Sequence, residues 1–388
     1  MATTPLYPLP ELPELPAAEV PIEGLKTAAF HLLKRQLGIY SGTELAERVR
    51  KLRTSGHLVK DFLQPGSVNI LVGDSGIGKS ALVYQLAMAV AAGKLFLGHA
   101  TRPGKVILVD YENSVWDAYR ILQQQRKHLG LDRSPNTLQI WPMNEAAPEA
   151  SPAQLQEQGL HENVERAIYQ FAPDLVIFDS LRSFNPSMEG DNAAAVAQIK
   201  QLRSITRRHG TAVLLVHHVR KHSTRGDASL EEGALLDWLM RSAGSRALIN
   251  QTDTRLAISR RGSQGGDSDD TLVMRGHIRT HGEVGPWYLE RIWDEANQPL
   301  AYRRFSATPQ MLKNYDQEGT FMRLPEAFSF GEARQAYGKQ HQATSDFLQK
   351  LVRLGLVAKV GHGRFQKNKA GGGAEGGFCP EPDVSLAA

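Results

Sequence analysis

Gly73-Asp74-Ser75-Gly76-Ile77-Gly78-Lys79-Ser80 is the stretch that decides how this chain reads. Glycines at 73, 76 and 78 let the backbone turn tightly and bring successive N–H groups toward one point, an arrangement suited to a phosphate. Lys79 can reach the outer phosphates of a nucleoside triphosphate, and Ser80 offers a hydroxyl to magnesium. The loop follows the apolar run Val68 to Val72 and opens a helical pattern at Ala81-Leu82-Val83, the strand, loop and helix setting that gives this motif its meaning. All eight residues from Gly73 to Ser80 are therefore expected to bind ATP, with Mg2+ as its companion.

On both sides of the loop, from about Lys60 to Phe305, short runs rich in Val, Ile and Leu alternate with longer helical patterns. Five runs read as strands: Val68 to Val72, Lys105 to Asp110, Asp174 to Asp179, Ala212 to His217 and Arg255 to Ser259. That rhythm predicts an α/β fold with a mainly parallel sheet covered by helices. Thr271 to Ile278 and Pro286 to Trp293 then alternate around Gly282 and Gly285, which predicts an antiparallel hairpin at the sheet's end.

The strand ends supply candidate chemistry, because open α/β sheets bind ligands beyond the carboxyl ends of their strands. Asp179 closes Leu175-Val176-Ile177-Phe178 and is placed to hold magnesium together with Ser80. Glu112 lies just past the run Lys105 to Asp110, where a general base can activate the water that attacks the γ-phosphate; Asp110 is its rival for that role. His217 and His218 close a further strand, where one of them can report whether the γ-phosphate is present.

Taken together, these residues resemble the RecA-like ATPases, and most closely the RepA type of plasmid replicative helicase, over roughly Leu63 to Leu300. The resemblance implies a RecA-like P-loop core and a ring-shaped homohexamer. It implies Lys79 and Ser80 for phosphate and magnesium, Glu112 as base, Asp179 for magnesium and His218 as γ-phosphate sensor. It also implies an arginine that reaches the neighbouring subunit's site. Here the motif runs about two residues out of register, through Gly244-Ser245-Arg246-Ala247-Leu248 to Asp253-Thr254-Arg255, so Arg255 is the first choice, with Arg260 and Arg246 as rivals. The family's lysine in the following hairpin has no counterpart in Arg279-Thr280-His281.

DNA is the expected partner, single-stranded in the ring channel and duplex at the C-terminal unit. Arg182 and Phe184 follow Asp179, and Arg220, Lys221 and Arg225 follow the sensor, giving two basic loops on the nucleotide edge. The region 326 to 369 carries eight Lys or Arg against three acids. Its pattern of helix, helix and hairpin resembles a winged helix, with Phe347, Leu348, Leu351 and Leu354 inward and Lys350 and Arg353 outward.

The 388 residues, 41% apolar, allow one large core and a small one. The expected organisation is a Pro-rich arm with N-terminal helices (1–58), the ATPase core (59–305), a linker (306–320), the winged-helix-like unit (321–369) and a Gly-rich tail (370–388). A single cysteine, Cys379, excludes an internal disulfide, and no run is long and apolar enough for a bilayer, which together point to a cytoplasmic protein without a membrane partner. The expected activity is that of an ATP-driven DNA helicase or translocase serving plasmid, phage or mobile-element replication. A recombination or repair ATPase without unwinding and an ATP-switched DNA-binding regulator are the alternatives.

Overall fold

The computed structural model describes Phe30, Lys34, residues 39–53, 57–143, 162–219, 230–231, 234–242, 246–261, 271–296, 298–305, 312 and 315–368. The prolines of the N-terminal arm, the Gly-rich tail and the basic stretch holding Arg220, Lys221 and Arg225 lie outside the described residues. Residues 1–55 form one compact unit and 56–388 a second. In the first, helix α1 (Gly42–Arg53) starts at a reciprocal cap: Glu44 N–H donates to Ser41 Oγ at 3.2 Å, and Ser41 N–H donates to Glu44 Oε2 at 2.6 Å.

In the second unit, the elements follow as β1 (Val68–Gly73), α2 (Lys79–Ala92), β2 (Val106–Asp110), α3 (Val115–His128), β3 (Leu138–Pro142), α4 (Glu162–Phe171), β4 (Leu175–Asp179), α5 (Leu181–Phe184), α6 (Ser187–Gly190), α7 (Asn192–His209) and β5 (Ala212–His218). Then come α8 (Leu235–Ser242), α9 (Arg246–Gln251), β6 (Thr254–Arg260), β7 (Leu272–Ile278), β8 (Gly282–Trp293) and β9 (Pro299–Phe305). The nine strands form one sheet in the order β3-β2-β4-β5-β1-β6-β7-β8-β9. From β3 through β6 the pairs are parallel; β7, β8 and β9 continue antiparallel. This is the mixed α/β, largely parallel sheet of a RecA-like P-loop core.

Two strands were not expected from the sequence. β3 adds an edge beside β2, and β9 adds a further antiparallel strand beyond the hairpin. The antiparallel half curls back over α2: Gln85 of that helix donates to Tyr302 O at 2.8 Å and accepts from Tyr302 N–H at 2.9 Å, although β9 stands four places from β1. Enclosure on every side explains why α2 buries eleven of its fourteen residues and carries no polar face, as a helix apolar all round must. Its end is set by Gly93 in the left-handed region (φ 63°), whose N–H donates back to the last turn.

Apolar side chains form two layers on the sheet. One holds Tyr84, Met88 and Leu108 with Met274, Trp287 and Leu289 from the curled half. The other holds Val72, Phe178, Ile199, Leu215 and Leu248 beneath the helices of the opposite face. A third cluster belongs to the C-terminal residues and is continued by Val273 and Tyr288 of the sheet.

That C-terminal part contains α10 (Tyr315–Arg323), β10 (Ala327–Ser329), α11 (Phe330–Tyr337), α12 (His341–Arg353), β11 (Val357–Gly361) and β12 (Arg364–Lys367). β10, β12 and β11 make a small antiparallel sheet in that order. Phe347, Leu348, Leu351 and Leu354 are buried, as their spacing requires. Lys350 departs from the expected outward position: its ammonium donates to Leu312 O at 3.0 Å and Gln317 Oε1 at 3.1 Å. Leu312 and the start of α10 fall within the stretch 306–320 that reads as a linker.

Candidate active site

The parallel strands bring four expected residues to one edge of the sheet. In the β1–β5 ladder Gly73 stands opposite His218, and in the β2–β4 ladder Asp110 stands opposite Asp179. Lys79 opens α2 immediately after the loop, and Glu112 follows β2 by two residues.

Lys79 is 4% exposed, and its ammonium donates to Gly73 O at 2.9 Å and Asp74 O at 2.7 Å. It also lies 3.1 Å from His218 Nδ1. An ammonium has only protons to give, so Nδ1 accepts. Nε2 then carries the imidazole proton and donates to Glu112 Oε1 at 2.6 Å. Lys79, His218 and Glu112 thus form one hydrogen-bonded chain. Burial lowers the Lys79 pKa, opposed by the charges of Asp179, Glu112 and Asp74. The bond from His218 holds Glu112 below the usual carboxylate range, against partial burial.

Asp110 and Asp179 are both buried, yet they are used differently. Asp110 accepts from Tyr84 Oη at 2.6 Å, from the N–H groups of Glu112 and Asn113 at 2.9 Å each, and from Asn113 Nδ2 at 2.8 Å. It is saturated, and its work is to fold the turn that presents Glu112. This geometry favours Glu112 over Asp110 as the group free to meet a water. Asp179 is 1% exposed, and neither of its oxygens has a well-formed hydrogen bond among the described residues. Burial pushes its pKa up to about 7; the Ser80 hydroxyl opposes this, while the charges of Glu112 and Asp110 add to it. A buried carboxylate with open lone pairs beside a loop hydroxyl fits a hard divalent cation that takes its other ligands from phosphate and water. Groups of three or more acidic, His or Cys ligands are absent among the described residues, so no cage made by the protein alone is present there.

Other expected residues sit elsewhere. Arg255 lies near the start of β6, opposite Ile70, whereas the loop end of β1 is opposite Ile258. It is 8% exposed and donates to Thr252 O at 3.1 Å and to His277 Nδ1 at 3.2 Å, with burial lowering its pKa. A buried group at the far end of the strand does not suit a finger for a neighbouring subunit. Arg260 ends the same strand on the nucleotide side and is exposed, and Arg246 is exposed at the start of α9. Arg182 is exposed on α5, but Phe184 of that helix is 3% exposed and packs 4.4 Å from the Phe178 ring. Phe184 is therefore part of the core and is not exposed for the expected contact with DNA. Arg353 is half-buried, with Nε 3.4 Å from Gln349 O.

Tyr302 and Arg291 belong to the site and were not anticipated. Tyr302 Oη donates to Ile77 O at 2.9 Å, and Arg291 donates to Tyr302 Oη at 3.0 Å. A Cβ placed on Gly78 would collide with this hydroxyl, so Tyr302, as well as the backbone φ of 91°, demands glycine there.

Fold and site together define a P-loop nucleotide-binding core. A family model described as AAA domain matches residues 42–224, a span that takes in the loop, Glu112, Asp179 and His218, and this match supports ATPase activity. No curated protein matches the chain. No helix of the described residues is long and apolar enough to cross a membrane.

Proposed function

We propose that this protein is an ATP-driven, ring-forming DNA helicase or translocase of the replication type. The observation that carries the reading is the chain Lys79–His218–Glu112, which joins the phosphate loop to a carboxylate at the end of β2. Incoming phosphate oxygens compete for the Lys79 ammonium and take its proton away from His218 Nδ1. The imidazole then turns toward the phosphate, and Glu112, released from Nε2, orients and deprotonates the attacking water. The same histidine makes the state of the nucleotide known to the strand end from which residues 220–229 depart. Ser80 and Asp179 are the residues that hold Mg2+, which when bound supplies positive charge to the phosphates.

Assembly completes the site on this reading, with Arg260 preferred over Arg255 and Arg246 as the group offered to a neighbour. Contact with DNA is assigned to Arg182, to the stretch holding Arg220, Lys221 and Arg225, and to a C-terminal winged helix. There Lys359, His362 and Arg364 are exposed on the β11–β12 hairpin, a cationic surface better placed than Lys350. The protein is read as cytoplasmic, with an N-terminal arm (1–58), a tail (370–388) and a linker that ends before α10 begins at Tyr315.

The deciding experiment is strand displacement by wild type and Lys79→Ala. Unwinding that requires ATP and is lost in the variant is the expected result. Hydrolysis stimulated by single-stranded DNA without displacement would move the protein to the recombination or repair class. ATP-dependent assembly on duplex DNA without stimulated hydrolysis would mark the regulator.

A further inference from the structure

We infer that Tyr302, oriented by Arg291, is a positioning residue that aims the Gly78 N–H of the phosphate loop at the bound polyphosphate. The inference rests on the reading of that loop as a nucleoside triphosphate site.

The direction of each hydrogen bond follows from what the groups can do. A guanidinium has no acceptor, so in the 3.0 Å contact Arg291 gives the proton and Tyr302 Oη receives it. The phenol has one proton, and it goes to Ile77 O, 2.9 Å away. Arg291 thus fixes the rotor of the hydroxyl. Two aromatic faces hold the guanidinium in turn, with its carbon 5.6 Å from the ring centres of both Tyr302 and Trp293.

The consequence lies in the next peptide. The Ile77–Gly78 bond is trans and planar, so its C=O and N–H point in opposite directions. Holding the carbonyl outward against Tyr302 turns the Gly78 N–H toward the concave side of the loop, where an anion collects such donors. Without that hold the peptide turns more readily, because Gly78 on its C-terminal side, at φ 91°, meets little steric resistance on either side of the map. The hold itself is rigid. Tyr302 is 3% exposed, and Gln85 clamps both its backbone N–H and its C=O from within α2.

The test compares Tyr302→Phe, Arg291→Met and Arg291→Lys with the wild type, using calorimetric titration of Mg-ATP and of Mg-tripolyphosphate together with melting of the ligand-free protein. Tyr302→Phe is expected to weaken both ligands alike, about fivefold to tenfold, the effect of one hydrogen bond. Arg291→Met should weaken both less, and Arg291→Lys should recover most of the loss. Ligand-free melting should move little, which separates positioning from support of the fold. If Tyr302→Phe fails to fold, Arg291→Met, which keeps the ring, carries the test alone. Wild-type affinity for both ligands in either hydroxyl-directed variant overturns the inference. So does a loss confined to ATP, which would make these residues nucleoside contacts. A wild type that binds neither ligand would instead overturn the reading of the loop itself.

Discussion

The tips of β2 and β4 lie side by side in register, each ends in a buried aspartate, and the fold treats the two in opposite ways. Asp110 has every lone pair spoken for by Tyr84, Glu112 and Asn113, whereas Asp179 faces Ser80 with its oxygens unfilled by the described residues. Burial is nearly equal, so exposure does not separate them. Partners do. A satisfied buried carboxylate is part of the scaffold, and an unsatisfied one is a cost that a ligand can remove.

Substitution should pull the pair apart, and the largest effect is expected at Asp179. Asp179→Asn should lower Mg-dependent hydrolysis about a thousandfold, because the amide keeps the shape and loses the charge that holds the cation. The same variant should melt a few degrees higher than wild type at pH 8 without ligand, since it no longer buries a charge. At the neighbouring tip, Asp110→Ala should cost about 3 kcal/mol in urea unfolding, because it strands buried donors of Tyr84 and of the turn. If the two variants were equally unstable, the contrast between scaffold and site would be lost.

Glu112→Gln should come next, with hydrolysis down about a hundredfold in single turnover and nucleotide affinity within about twofold of wild type. A matched loss in affinity would make Glu112 a binding group rather than a base. The smallest effect is the one on pH. Cation binding requires Asp179 charged, and its pKa in the ligand-free fold is about 7. Affinity for Mg-ATP should therefore fall about tenfold between pH 7.5 and pH 6, with proton release on binding at the lower value. The sign for the ligand-free fold is opposite. Its pKa is raised above the unfolded 3.8, so stability falls as pH rises from about 4 through about 7, and Asp179→Asn should flatten that slope.

Much of this site was legible because its parts follow strands. Val106 to Asp110 and Leu175 to Asp179 are apolar runs that end in acids, and a strand end in such a sheet is already a location. β9 lacked that signal. Pro299-Leu300-Ala301-Tyr302-Arg303-Arg304-Phe305 shows neither alternation nor a helical period, and its partner Gln85 is 217 residues away. Arg255 is disfavoured for another reason: sequence near a strand does not show burial, and this side chain is 8% exposed and bonded to Thr252 O and His277. Phe184 reads with Arg182 as part of a DNA-contacting loop, but the single turn of α5 rotates it into Phe178.

The curl that brings Tyr302 onto Ile77 and Gln85 also has a bearing on biosynthesis. The residues of the phosphate loop leave the ribosome well ahead of the strand that braces them, which is made more than two hundred residues later. Contacts this distant in sequence close late, after the intervening chain has been synthesised. A nascent chain ending before Pro299 holds the whole loop sequence and lacks its outer wall. Capacity to bind nucleotide should thus mature only after β9 has been made, and release of a chain truncated before β9 should yield a core that is weak in ATP binding although every residue of the loop is present.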